Sequence, residues 1–394
     1  MPEFLQATIE VLLGIALLFG GGELFVQGSI ALAVIFGIPQ LVIGLTVVSL
    51  GTSAPELFVS LNSVFQGSDA LALSNVVGSN IFNVMVVLGS SALVLPLRVE
   101  SRLVRRDVPL MIAVSAAVWG MASAGRVTWQ AGLALLLGLI INTIWEIRTA
   151  REQPDDSESA EPEIEENAAE GGWHLAVLRL IGGIAVLTGG SKVLVSGATS
   201  AATLLGVSEA VIGLTIVSAG TSMPELITSL VAALRGRTDL AIGNVVGSCL
   251  LNLMLVLGGT ALVTGSQGLN VSPDLIHDDL PVMLLTSLAC LPIFWTRGRI
   301  SRLEGGLLLS LYVLYIVDNV LPRTNLSSWS DEFRLVMLCL VLPVVMITII
   351  TQAVVYWRTS HGALEALKQI ILPINMRHQS KIFENSSIQK LVAR

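Results

Sequence analysis

The amino-acid sequence predicts an all-α polytopic membrane protein: two inverted five-helix repeats, ten core transmembrane helices in all, with an eleventh helix near the C-terminus. Three observations predict it. The composition is apolar with long uncharged stretches, a polar signature occurs twice at constant spacing, and basic residues gather on one side of the resulting topology.

Hydrophobic residues make up 53% of the 394 and charged residues 13%, against roughly 45–50% and about 25% in an average soluble protein. Mean hydropathy is +0.78. The charges lie in short segments between apolar runs of about 20 residues, the length that spans a bilayer. That excludes a soluble domain: the partner is the lipid bilayer, with no nucleic acid and no obligate protein partner expected. Much of the net charge of −7 comes from residues 152–170, EQPDDSESAEPEIEENAAE. This stretch lacks the apolar surface needed to order itself, so it reads as a linker and not as a calcium sensor. Cys249, Cys290 and Cys339 sit in apolar runs without metal-type spacing, and no disulfide is expected. The first residues lack the basic region of a cleaved signal peptide, so the first apolar stretch is read as a retained helix.

Residues 44–60 read GLTVVSLGTSAPELFVS and residues 213–229 read GLTIVSAGTSMPELITS. The offset of 169 also aligns Gly14 with Gly183, Gly21 with Gly190, Gly28 with Gly197 and Asn75 with Asn244. After a short insertion, Asp107-Val108-Pro109 faces Asp279-Leu280-Pro281. Apolar stretches near 6–30, 38–65, 70–95, 107–123 and 128–148 supply five helices. Those near 174–200, 207–234, 239–263, 279–296 and 301–321 supply five more. The chain therefore divides into a first repeat (1–148), an acidic cytoplasmic linker (149–172), a second repeat (173–321), an extra helix (333–357) and a basic cytoplasmic tail (358–394).

Five is odd, so two such repeats in one chain sit in opposite orientations across the membrane. With the N-terminus outside, the inner face receives Arg98, Arg102, Arg105, Arg106, Arg148, Arg151, Arg235, Arg237, Arg297, Arg299 and Arg302. The outer loops receive only Arg126, Arg323 and Arg334. This satisfies the positive-inside rule and returns the basic tail to the cytoplasm. Inverted repeats of this kind place a substrate site between them, near the midplane.

Glu56 lies in a stretch, residues 41–64, with no other ionisable residue, and Glu225 repeats it. A charge at that depth costs about 2.5–3.5 kcal/mol on insertion scales. A structural, protonated glutamate is the plain alternative, but the polar surroundings are duplicated too. Ser49, Thr52, Ser53, Glu56 and Ser60 share one helical face, and Ser218, Thr221, Ser222, Glu225 and Ser229 repeat the stripe. The following helices add Asn75, Ser79 and Asn83, and Asn244, Ser248 and Asn252. Pro55 and Pro224 are expected to break their helices and free carbonyls around Gly51–Thr52 and Gly220–Thr221. Backbone of that kind is tolerated in a membrane where a bound cation satisfies it.

Calcium takes six to eight hard oxygens, carboxylates among them. The imidazole or thiolate clusters that favour zinc or copper are missing from this pattern. His174, His277, His361 and His378 fall at helix ends or in loops. Two glutamates carry −2, which one Ca2+ neutralises, as do several Na+ ions spread over hydroxyl and amide positions. The ions are cargo, and no cofactor is expected. An intramembrane enzyme using Glu56 or Glu225 as acid or base lacks a nucleophile–histidine pairing.

At the two GTSxPE segments, followed by SNVVGSNIFN and GNVVGSCLLN, the chain resembles the cation/calcium exchanger superfamily, specifically its prokaryotic sodium/calcium exchangers. The resemblance covers roughly residues 10–321. It implies alternating access and sodium–calcium antiport in a prokaryotic plasma (inner) membrane. Glu56 and Glu225 would bind calcium with the backbone oxygens of Thr52 and Thr221. Ser53, Ser79, Ser222 and Ser248, with the same glutamates, would line sodium sites. Asn83 and Asn252 close each GSxxxN element. Potassium-dependent relatives carry aspartate where Asn252 stands, so the pocket resembles the potassium-independent type. A proton-coupled (or potassium-dependent) calcium/cation exchanger is the alternative reading.

Overall fold

The computed structural model describes residues 2–152, 172–205, 218–295, 298–323 and 329–337, with positions 216, 339, 343, 347 and 351. Most of the acidic linker, the start of the predicted 207–234 helix, most of the 333–357 stretch and the basic tail lie outside the described residues.

The helices are α1 (Pro2–Phe36), α2 (Gln40–Thr52), α3 (Ala54–Phe65), α4 (Asp69–Val94), α5 (Val108–Ala122) and α6 (Trp129–Glu152). They continue as α7 (Gly172–Leu204), α8 (Met223–Leu234), α9 (Thr238–Val263), α10 (Leu275–Trp295), α11 (Arg302–Val320) and α12 (Ser330–Val336). Among the described residues, seven helices are long and apolar enough to cross a membrane, and α2 with α3 makes an eighth when counted as one span. This is an all-α membrane protein. Large side chains on the outer faces, such as Leu12, Ile141, Leu178 and Ile181, are exposed, as a lipid-facing surface requires.

Local chemistry explains the breaks. α2 and α3 meet at a 42° bend, with Pro55 in the first turn of α3. A proline there loses no hydrogen bond, because the N–H it lacks would have no partner in the helix. Pro224 opens α8 in the same way. The hairpins that follow turn on Gly67 (φ +76) and Gly236 (φ +73), left-handed backbone that a Cβ would strain. Ser301 and Glu304 cap α11 reciprocally.

α1 and α7 pack along a glycine seam. A Cβ on Gly14 would lie 2.6 Å from the Leu194 nitrogen, one on Gly21 2.8 Å from the Leu187 nitrogen, and one on Gly28 2.9 Å from the Leu180 nitrogen. Gly183, Gly190 and Gly197 meet Phe25, Leu18 and Val11 at similar distances. As one number rises its partner falls, so the two helices run antiparallel with repeat-equivalent glycines on both sides. Elsewhere Gly132 packs on Gly258, and Gly89 on Gly305. Two short antiparallel ladders obey the same exchange: β1 (Leu97–Arg98) pairs with β4 (Arg299–Ile300), and β2 (Arg126–Val127) with β3 (Leu269–Asn270).

The core belongs to α4 and α9. α9 is buried along the run from Thr238 to Leu251, and Ser115 Oγ lies 3.3 Å from its repeat counterpart Ser287 Oγ. Several expectations shift. The predicted 6–30 and 174–200 helices extend to Pro2–Phe36 and Gly172–Leu204. α6 stays helical to Glu152, beyond the predicted boundary at 148. The ladders, only two residues per strand, had no alternating pattern to reveal them.

Candidate cation-binding site

The two proline breaks bring the signature segments together between α4 and α9. Glu56 and Glu225 are both fully buried, as are Ser222, Ser248, Asn83 and Asn252; Thr52, Ser53 and Ser79 are nearly so. Thr221 is half-buried.

The hydrogen bonds cross between the halves. Ser222 Oγ donates to Glu56 Oε1 at 3.0 Å, and Ser53 Oγ to Glu225 Oε1 at 3.2 Å. Ser222 Oγ also lies 3.1 Å from Ser79 Oγ, and Thr52 Oγ1 lies 3.4 Å from Ser248 Oγ. Each glutamate is therefore held by the serine of the opposite repeat.

Asn75 and Asn244 brace this arrangement. Asn75 Nδ2 donates to the Glu56 carbonyl (3.3 Å) and Ser60 Oγ (3.0 Å) of its own half. Its Oδ1 accepts from Thr221 Oγ1 of the other half (3.4 Å). Asn244 repeats the pattern with the Glu225 carbonyl, Ser229 Oγ and Thr52 Oγ1, at 3.3, 2.8 and 3.1 Å. The polar stripes thus divide by role. Ser60 and Ser229 brace helices, as does Ser49, whose hydroxyl lies 2.5 Å from the Gly44 carbonyl and 3.1 Å from the Asn244 carbonyl. The Ser218 side chain lies outside the described residues.

Several buried polar atoms of these residues stay unpaired. Glu56 Oε2, Glu225 Oε2 and both carboxamide atoms of Asn83 and Asn252 have no hydrogen-bond partner among the described residues. A buried polar atom without a partner costs about 1–3 kcal/mol. Four of these six atoms are oxygens, at equivalent positions in the two halves, and together they make a donor set for a hard cation and not a packing fault. Wide π-helical turns begin at these same asparagines, Asn83–Leu88 and Asn252–Val256. Turns of this kind accompany functional sites, because the extra residue re-aims a side chain.

The carbonyl expectation needs correction at one point. Gly220 O does not wait for a cation: it accepts a short hydrogen bond from Ser191 Oγ of α7. At its counterpart Gly51 a Cβ would meet Ile184 and Phe25, at 2.8 and 3.0 Å. Ser191 escaped sequence reasoning because its repeat partner is Gly22, which has no side chain to match. Cys249, equivalent to Asn80, is buried with its Sγ 3.9 Å from the Asn80 carbonyl.

The sequence profile of the sodium/calcium exchanger protein family matches residues 7–148 and 175–320. The inner membrane protein YrbG of Escherichia coli is 34% identical over 80% of this chain and 99% of its own. The sodium/calcium exchanger MaX1 of Methanosarcina acetivorans is 31% identical over 78% of this chain and 96% of its own. The solved structure of the sodium-calcium exchanger NCX_Mj superposes with a TM-score of 0.67 at 29% identity, covering 79% of this chain and 98% of that one.

Proposed function

The chain belongs to the sodium/calcium exchanger family, and on that premise we propose that it is a secondary antiporter exchanging Na+ for Ca2+ by alternating access. The observation that carries this is the pair of crossed carboxylates, each with one buried oxygen unpaired, beside two asparagine amides without a partner among the described residues. In this reading Ca2+ takes Glu56 Oε2, Glu225 Oε2 and the backbone oxygens of Thr52 and Thr221. Na+ ions occupy the positions among Ser53, Ser79, Ser222 and Ser248. Asn83 and Asn252 offer neutral oxygens, so the site carries no more than the −2 that one Ca2+ balances.

The exchange follows from charge. Two carboxylates buried together without a cation repel each other and lose their hydration. Loaded with Ca2+ or with sodium, the site is near neutral and can be occluded; empty, it stays exposed to one aqueous phase. Inverted five-helix repeats, with the N-terminus outside and the C-terminal tail cytoplasmic in a prokaryotic plasma membrane, would supply the two alternating orientations. The antiparallel glycine seam, the exchanged ladders and the Ser115–Ser287 contact support that topology. MaX1 and NCX_Mj both carry the sodium/calcium exchanger name.

The test is ⁴⁵Ca2+ uptake into sodium-loaded proteoliposomes. Uptake should rise with an outward sodium gradient and collapse when sodium is equal on both sides. Uptake that followed a pH gradient and ignored sodium would establish the proton-coupled alternative.

A further inference from the structure

α1 and α7 are repeat partners, yet they treat the two glutamate helices differently. α1 lies against α8. A Cβ on Gly22 would come within 2.8 Å of Ile227 Cγ2 and 3.5 Å of Val231 Cγ2. At the end of α8, Arg235 Nε donates to Glu23 Oε2 at 2.9 Å, and its Nη2 pairs with Glu23 Oε1. Gln27 Nε2 donates to Glu23 Oε1 at 2.7 Å and holds the carboxylate in place. α3 has no such cover: Phe58, the counterpart of Ile227, is 71% exposed, while Ile227 is 7% exposed.

The polar partners differ as well. By the offset of 169, Glu23 corresponds to Lys192 and Arg235 to Gln66. Both counterparts are exposed, and a lysine with a glutamine makes no ion pair. Of these two equivalent pairs of positions, Glu23 and Arg235 carry the charges for a bidentate clasp and Lys192 and Gln66 do not.

We propose that the Glu23–Arg235 pair is a latch on the cytoplasmic side, clasping α1 to α8 and closing that approach to Glu225. Movement of α1 off α8 must break it, whereas the approach beside α3 has no equivalent ion pair. The latch therefore biases the protein toward the conformer closed inside and open outside. The proposal rests on the alternating-access reading above, and the pair acts by positioning helices and not by touching the ions.

The test is the labelling rate of Val231→Cys by a membrane-impermeant maleimide, in a Cys339→Ser background, applied to each face of oriented membranes. Val231 is buried beneath Gly22, so only separation of α1 from α8 exposes it. Glu23→Gln and Arg235→Gln should each raise labelling from the cytoplasmic face about five-fold, the effect of an exposed ion pair worth about 1 kcal/mol. The exchanged pair, Glu23→Arg with Arg235→Glu, should return the rate toward that of the parent. Unchanged rates in both single variants, an exchanged pair as fast as the singles, or labelling only from the outer face would each overturn the latch. Labelling does not require transport. Failure of sodium-driven ⁴⁵Ca2+ uptake in the parent would defeat the exchange reading and leave the labelling result to judge the latch by itself.

Discussion

The two halves agree at the centre and part company at the ends of their scaffold helices. Around the site, serine answers serine, asparagine answers asparagine and glutamate answers glutamate. Just before α5, Arg102 and Arg106 both pair with the buried Glu146 of α6. Arg106 also bonds Asp107 at 3.0 Å and stacks 3.6 Å over Trp145. The equivalent positions in the second half are Asp274, Asp278, Asp279 and Asp318. There Tyr315 donates to Asp279 at 2.8 Å. The cation comes from beyond the repeats: Arg334 of α12 lies 3.3 Å from both Asp318 oxygens and 3.7 Å from Asp278.

The difference shows where duplication is constrained. At the centre Ser53, Ser222, Asn75 and Asn244 each bond to the opposite half, so a change in one half strands a buried partner in the other. The Arg102–Arg106–Glu146 cluster is bonded within its own half, and on our topology it and the Asp278–Asp318 cluster meet different aqueous phases. The positive-inside rule then permits arginine at one end and aspartate at the other.

The most severe way to break the comparison is to neutralise one glutamate at a time. Glu56→Gln and Glu225→Gln should each lower sodium-driven ⁴⁵Ca2+ uptake at least a hundred-fold, by about 2.7 kcal/mol or more. Both variants should still run as folded protein on gel filtration. A variant retaining most of its uptake would show that the two halves are not equal contributors.

Next comes the buried cluster that has no counterpart. Glu146→Ala leaves two arginine side chains, each less than a fifth exposed, without their shared acceptor. It should destabilise the protein by about 3 kcal/mol, read as a lowered thermal midpoint in detergent. A midpoint within 1–2 °C of the parent would mean that Asp107 alone suffices for both arginines.

A finer probe of central symmetry is Asn83→Ala against Asn252→Ala. Each removes one neutral oxygen from the centre and should weaken apparent calcium affinity about ten-fold, or about 1.4 kcal/mol. Unequal losses, measured by calcium titration of uptake, would show that the ion sits nearer one repeat. The smallest effect is expected at Arg334→Ala. That ion pair is exposed and should contribute less than about 1 kcal/mol, with uptake unchanged. A large loss of stability would place α12 among the structural elements of the second half.

Much of this was legible before folding. Helical periodicity put Glu56 on a face with Thr52 and Ser53, and the proline two residues after Ser53 marked the bend that the structure places there. The duplication identified which positions had to be read together. Partners across the interface were not legible. Nothing in the spacing says that Ser53 holds Glu225 and leaves Glu56 to Ser222, or that Asn75 accepts from Thr221. Ser191 was invisible for a related reason, since the other repeat has glycine in its place, and the Glu146 cluster because its arginines stand where the other repeat has Asp274 and Asp278.

The sequence by itself determined that the chain lives in a membrane, is duplicated, and carries one glutamate per repeat on a polar face, because these properties follow from local composition and helical period. Only the tertiary structure decided that the two faces interlock, each carboxylate held by the opposite serine, and that α1 covers one glutamate helix while α7 leaves the other open. Those are contacts between segments about 170 residues apart, and a helix's periodicity specifies which face is polar without specifying what that face will meet.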